Sequence, residues 1–158
     1  MRLNNLLAAG LAAVLLITPL AAQISNVLFV TAPEKIEGKR NEVVTADFKL
    51  QLRTGFHVNS NTPSDDYLIP LKFTFAGATV QAQEVTFPKP RMEKYPFSAK
   101  PLSVFTGDFK TTAKFKILPT APLGQSLLTG KLRYQACSHT ACLPPKTVDI
   151  KVPVEVKN

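Results

Sequence analysis

Thr147-Val148-Asp149-Ile150-Lys151-Val152-Pro153-Val154-Glu155-Val156 is the stretch whose reading decides the fold. Successive side chains of a β-strand point to opposite faces, so a period of two sets Val148, Ile150, Val152, Val154 and Val156 against a core. The same period leaves Asp149, Lys151, Pro153 and Glu155 in water. A helix over these residues would scatter the aliphatics around its whole circumference. Pro153 has no N–H to give to a ladder and predicts an edge position.

The alternation repeats upstream. Val44, Ala46, Phe48, Leu50 and Leu52 alternate with Thr45, Asp47, Lys49, Gln51 and Arg53 until Gly55 ends the run. Leu71, Phe73 and Phe75 alternate with Lys72 and Thr74 before Gly77, and Ala113, Phe115 and Ile117 alternate with Lys114 and Lys116. Val80 and Ala82 are followed by Val85 and Phe87, so the inward phase slips by one near Glu84, which predicts a β-bulge. No segment carries a helical stripe, an internal repeat or a linker. About seven to nine short strands separated by turn signals predict an all-β domain of the immunoglobulin-like two-sheet β-sandwich type.

Arg2, an apolar run over residues 6–17 and Pro19-Leu20-Ala21-Ala22 ahead of Gln23 follow the order of a secretory signal peptide. Cleavage is expected after Ala22, leaving residues 23–158 as one exported, soluble domain in the periplasm. The apolar run falls short of the roughly 20 residues that span a bilayer. The chain has 19 Lys and Arg against 11 Asp and Glu, a net charge of +8. Loss of Arg2 leaves about +7 by the same count. The lysines recur as the outward partners of apolar residues, so they read as a solvated face, and nucleic acid is not an expected partner. Two cysteines are too few for a disulfide-built miniprotein, yet an exported chain works where a disulfide persists.

Three segments depart from strand regularity. Residues 59–67 are dense in turn formers, and residues 87–98 mix prolines with Tyr95 and Phe97, aromatics that have no strand partner in the pattern. The third is Tyr134-Gln135-Ala136-Cys137-Ser138-His139-Thr140-Ala141-Cys142-Leu143-Pro144-Pro145-Lys146, which holds both cysteines with four residues between them. So short a connection allows the sulfurs to bond within one loop. The phase of Leu132, Tyr134 and Ala136 sets Arg133, Gln135 and Cys137 on the other face, toward solvent or under a loop. Three readings of the pair stand side by side. A structural disulfide is the ordinary role in an exported domain, but closing so few residues contributes only about 2 kcal/mol and joins no distant elements. Short, exposed bridges are the reducible ones, which favours a redox pair. Cys137, His139 and Cys142 also offer metal ligands of the kind zinc or copper takes, with His57 the only other histidine. His139, Arg133 and Lys146 are candidates to favour a thiolate electrostatically.

Tyr134-Gln135-Ala136-Cys137 through Cys142-Leu143-Pro144-Pro145-Lys146-Thr147 resembles the active-site strand and loop of the N-terminal periplasmic domain of the thiol:disulfide interchange protein DsbD. Gly55-Phe56-His57-Val58-Asn59-Ser60-Asn61, continuing to Asp66-Tyr67-Leu68-Ile69-Pro70, is similar to an earlier strand pair of that domain. The resemblance implies an immunoglobulin-like sandwich whose Cys137 and Cys142 carry electrons without a cofactor, with Cys142 forming the mixed disulfide with partners. It implies a cap loop shielding the pair, with Glu93, Tyr95 and Phe97 where that loop should fall and Tyr67 matching an aromatic beside the site. The partners implied are a thioredoxin-like protein or domain, a membrane-embedded electron transporter on a separate chain, and oxidised periplasmic proteins such as disulfide isomerases and cytochrome maturation factors. The competing reading is a non-catalytic exported binding module of the same fold with a structural disulfide, binding a protein or copper. This sequence has one residue fewer between the cysteines than well-known members of the family.

Overall fold

The computed structural model describes residues 26–158, so the expected signal peptide, residues 1–22, lies outside the described residues. Among the described residues there is no helix, and so none long and apolar enough to cross a membrane. In chain order the strands are β1 (Leu28–Thr31), β2 (Ile36–Lys39), β3 (Val43–Leu52), β4 (His57–Asn59), β5 (Lys72–Ala76) and β6 (Val80–Thr86). They continue as β7 (Arg91–Glu93), β8 (Leu102–Thr106), β9 (Asp108–Ile117), β10 (Gly124–Tyr134), β11 (Ala136–Cys137) and β12 (Lys146–Lys157).

The protein is an all-β, immunoglobulin-like sandwich. One sheet runs β1-β3-β9-β6 and the facing sheet β2-β12-β10-β5. Period-two burial holds along the long strands: Ala46, Phe48, Leu50 and Leu52 of β3 and Ile150, Val152, Val154 and Val156 of β12 are buried, with exposed or half-buried residues between them. The sheets meet through aromatic rings. Phe48 lies 5.3 Å from Phe73 and 5.5 Å from Phe75, and Phe75 meets Phe115 edge-on at 5.0 Å. Each such ring contributes about 1.5–3 kcal/mol by leaving water. Gly130 of β10, in register with Phe75, makes room for it, because a Cβ there would come within 2.7 Å of the Phe75 ring.

The bulge expected near Glu84 is present, with the β6–β9 register shifting between Ala82 and Glu84. The edge position expected from Pro153 needs correction. β12 takes β10 on one side along its length and β2, in parallel, on the other from Val154 to Lys157, so it is internal at its end. Pro153 falls one residue before the second neighbour begins, where a missing N–H costs least.

Beyond the two expected sheets there is a third, small one, ordered β11-β4-β8-β7. Its strands are continuations of sandwich strands: β4 follows β3 across Gly55, β8 runs into β9 across Gly107, and β11 follows β10 across Gln135. Gly55 at φ 85° and Gly107 at φ 64° occupy the left-handed region, where the lack of a Cβ permits the change of direction.

Candidate functional site

The small sheet carries both cysteines and what surrounds them. β11 pairs with β4, setting Ala136 beside Val58 and Cys137 beside His57, and β4 pairs in turn with β8. Beyond β11 the chain folds back in a tight hairpin. Ser138 N–H donates to the Ala141 carbonyl and Leu143 N–H to the Ala136 carbonyl, each at 2.8 Å. Ser138 Oγ accepts the N–H groups of Thr140 and Ala141, both at 3.2 Å, so a serine at this position supplies its own turn. Cys137 and Cys142 therefore face each other across a one-pair β-bridge, with α-carbons 3.8 Å apart, and their sulfurs form a disulfide. Its two ends differ in access. Cys137 is 0% exposed, whereas Cys142 is half-buried.

Gln135 ties this hairpin down. Its Nε2 donates to the Leu143 carbonyl at 3.3 Å, while its Oε1 accepts from Asn59 Nδ2 at 3.4 Å and Ile69 N–H at 3.5 Å. Asn59 also donates to the Ile69 carbonyl at 3.1 Å. One side-chain amide thus links the post-cysteine loop, β4 and the loop after it.

Residues 94–101 join β7 to β8 and lay two aromatics over the sheet. Tyr95 to Ser98 form a β-turn closed by Ser98 N–H donating to the Tyr95 carbonyl at 3.1 Å, with Pro96 at the second position, where its fixed φ suits the turn. Pro96 is thus the residue that brings the flanking rings to one side: Tyr95 and Phe97 stack 5.5 Å apart. Lys94 Nζ donates to the carbonyls of Ser98, at 2.8 Å, and Ala99, fastening the base of the loop. Tyr95 lies flat on His57, centroids 3.9 Å apart and planes 16° off parallel, with His139 edge-on to Tyr95 at 6.2 Å. The Tyr95 hydroxyl donates to Glu93 Oε2 at 2.6 Å; burial above all, then that bond and the Glu93 charge, pushes its pKa up. His57 is 2% exposed and is pushed down to about 4, chiefly by burial; the Glu93 carboxylate opposes this and His139 adds to it. An open cleft of about 690 Å³, lined by His57, Glu93, Tyr95 and His139 among others, lies beside the stack.

Comparison with known proteins bears on what such a site does. The sequence model of the family described as thiol:disulfide interchange protein DsbD, N-terminal, matches residues 29–153. This chain belongs to that family. Among solved structures, the N-terminal periplasmic domain of ScsB from Proteus mirabilis matches with a TM-score of 0.52 and 14% identity over 81% of this chain. The match covers 45% of that structure, so this chain spans under half of its length. A family 123 glycoside hydrolase from Clostridium perfringens matches at a TM-score of 0.40 and 12% identity, covering 84% of this chain and 27% of that one. No curated protein sequence matches. The family is one of thiol:disulfide interchange domains, and this chain carries a bonded cysteine pair, Cys137–Cys142.

Of the residues expected at this site, the structure gathers Cys137, Cys142, Glu93, Tyr95, Phe97 and His139. Tyr67 is 74% exposed, and its neighbour Leu68 packs with Tyr95, Leu102 and Val104. Of the two placements open to Cys137, the solvent-facing one is excluded. The phase breaks at Gln135, and both residues of β11 are covered. The cysteines are bonded to each other, and among the described residues no group of three or more His, Cys, Asp or Glu is placed to hold a metal. His57 and Gln135 are the site residues that periodicity misses. The available signal for Gln135 was its place as the polar interruption between two strand segments, and for His57 a run, His57-Val58-Asn59, that does not alternate.

Proposed function

We propose that this protein is a periplasmic carrier of thiol–disulfide exchange. Its Cys137–Cys142 pair moves reducing equivalents from a thioredoxin-like donor, itself supplied by a membrane-embedded transporter, to oxidised periplasmic proteins. Residues 1–22 serve as the export signal and residues 23–158 as the working domain. The observation that supports this most is the unequal access to the two sulfurs, Cys137 sealed and Cys142 half-buried on its turn.

A nucleophile reaches the disulfide only at its open end. The donor thiolate attacks Cys142 Sγ, a bond forms between donor sulfur and Cys142, the Cys137–Cys142 bond breaks, and its electron pair leaves on Cys137 as a thiolate. The donor's second thiolate then attacks the donor sulfur and releases Cys142, so the carrier is reduced and the donor oxidised. Delivery runs the same chemistry in the other direction: Cys142 attacks the oxidised acceptor, and Cys137 resolves the mixed disulfide. The Tyr95–Phe97 turn covers the sealed side until a partner displaces it.

Incubation of Cys137→Ser and Cys142→Ser variants with a thioredoxin-like protein whose resolving cysteine is replaced by serine, and whose remaining cysteine is activated as a mixed disulfide with 5-thio-2-nitrobenzoate, tests this on a non-reducing gel. A mixed disulfide is expected with Cys137→Ser and not with Cys142→Ser. No adduct with either folded variant, or equal adducts with both, would remove the carrier reading. A disulfide that does not equilibrate with such proteins above about −300 mV would point instead to a structural bridge in a binding module.

A further inference from the structure

His57 is a buried titratable group that the exchange chemistry above leaves without a role. Its Nε2 is buried with no hydrogen-bond partner. Leaving such an atom unpaired in the interior is costly, so its persistence calls for a reason. His57 is the register partner of Cys137 on the neighbouring strand. Directly opposed residues of an antiparallel pair share a face, with Cβ atoms about 4.5–5.5 Å apart, so the imidazole, stacked under Tyr95, and the Cys137 sulfur are side-by-side neighbours.

We propose that His57 handles the proton of Cys137: neutral and sealed under Tyr95 while the disulfide is closed, it takes up a proton when the bond opens and holds Cys137 as a thiolate. This rests on the carrier reading of the same pair. When the incoming thiolate bonds to Cys142, the electron pair of the broken bond stays on Cys137 and one proton from solvent goes to the imidazole, leaving a thiolate–imidazolium pair. When Cys137 attacks Cys142 to re-form the bridge, the partner sulfur leaves with the electron pair and His57 returns its proton to water. A lower thiol pKa makes Cys137 the better leaving group, which is the property a reversible carrier needs.

The charged and titratable groups around His57 fit this task. Glu93 on β7 favours the imidazolium, and His139 on the disulfide turn opposes it. Tyr95 covers the ring, its own hydroxyl engaged by Glu93 and held well above its usual range by burial. Arg53 and Asp108 line the adjoining cleft, bringing one charge of each sign. The new negative charge on Cys137 is then the one addition that tips His57 toward the protonated form.

The test follows the His57 ring by nuclear magnetic resonance through a pH titration of the disulfide form and of the protein reduced with dithiothreitol. The midpoint is expected to rise from about 4 to above about 7 on reduction, about a thousandfold gain in proton affinity, because only then does the imidazolium persist beside the thiolate at neutral pH. In a Cys142→Ser background His57→Phe should raise the Cys137 thiol pKa, read from thiolate ultraviolet absorbance, because the imidazolium that favours the thiolate is gone. Phenylalanine keeps the stack on Tyr95 and removes only the proton site. A His57 midpoint that is unchanged by reduction, or a Cys137 pKa unmoved by His57→Phe, overturns the assignment. If His57→Phe does not fold, the wild-type titration decides by itself. Neither measurement uses a protein partner, so failure here is separable from failure of the trapping experiment.

Discussion

The sandwich and the small sheet are both antiparallel for most of their pairings, yet they are held together by different means. In the sandwich, β3, β9, β10 and β12 run ten to twelve residues and bury one face each, and the buried positions are almost all apolar. In the small sheet the strands run two to five residues, and all but the edge strand β7, which is mostly exposed, are covered more completely: β4 and β11 are buried at every position and β8 at all but its last. Its interior accordingly contains polar groups, His57, Asn59, Ser60 and Ser103, with Ser60 and Ser103 sharing a hydroxyl bond of 2.8 Å. Its separate apolar cluster is small, Leu68, Tyr95, Leu102 and Val104. Val58, Phe105 and Ala136 of the small sheet join the sandwich core and anchor that face, while on the proposed carrier function the burial under Tyr95 is shielding that has to be reversible. Segments that open in function are drawn from the less stable part of a fold.

The largest expected effect belongs to the sandwich. Phe115→Ala removes a ring that is fully buried against Phe75 and should cost about 3–5 kcal/mol in urea unfolding. The rate at which dithiothreitol reduces the disulfide in the folded fraction should stay as in wild type. If that rate rises in step with the lost stability, the two regions open together and the division drawn between them is wrong.

The next effect comes from His57 and works through pH. Its folded pKa, about 4, lies below the ordinary 6.5, so the unfolded chain binds a proton that the native state refuses. Stability should therefore fall as pH drops through 6.5 toward 4, by up to about 3 kcal/mol, and His57→Phe should flatten that slope. Glu37 and Asp47 are held below their ordinary values of 4.5 and 3.8 by lysine partners, so their contributions are lost only at lower pH. Between pH 6.5 and 4.5 the slope thus reports on the small sheet, and an equal slope in His57→Phe would assign it elsewhere.

This contrast also explains what the sequence made legible. Val43–Leu52 and Lys146–Lys157 display their burial as alternation because each has one wet face, so the sandwich could be read residue by residue. A strand covered on both faces has no such signature. His57-Val58-Asn59 does not alternate and is expected as a strand only from family resemblance, and Cys137 took its apparent phase from Arg133 and Gln135 although β10 ends at Tyr134 and the pairing restarts at Ala136. The bonded pair itself was readable from its spacing. The cap residues came from family resemblance, since nothing in the periodicity tells that Pro96 folds Tyr95 and Phe97 to one side. Tyr67 shares its loop with Leu68, and the pattern does not show which of the two turns inward.

The smallest effect is the most diagnostic. Tyr95 is 7% exposed and contributes to both the small apolar cluster and the lid over His57. Its stack on the imidazole is worth about 0.5–1.5 kcal/mol beyond the area it buries. Tyr95→Ala should therefore raise the population of uncovered disulfide, and with it the dithiothreitol reduction rate, about tenfold, equivalent to about 1.4 kcal/mol. The urea midpoint should move far less than with Phe115→Ala, because β7 and the residue 94–101 loop lie at the outer edge of the small sheet. Tyr95→Phe separates the ring from the hydroxyl: it keeps the stack and loses only the bond to Glu93, so most of the shielding should return. A reduction rate in Tyr95→Ala equal to wild type would mean that Cys142 is attacked without any movement of this turn. The exposed end of the bridge, and not the lid, would then set the pace of exchange.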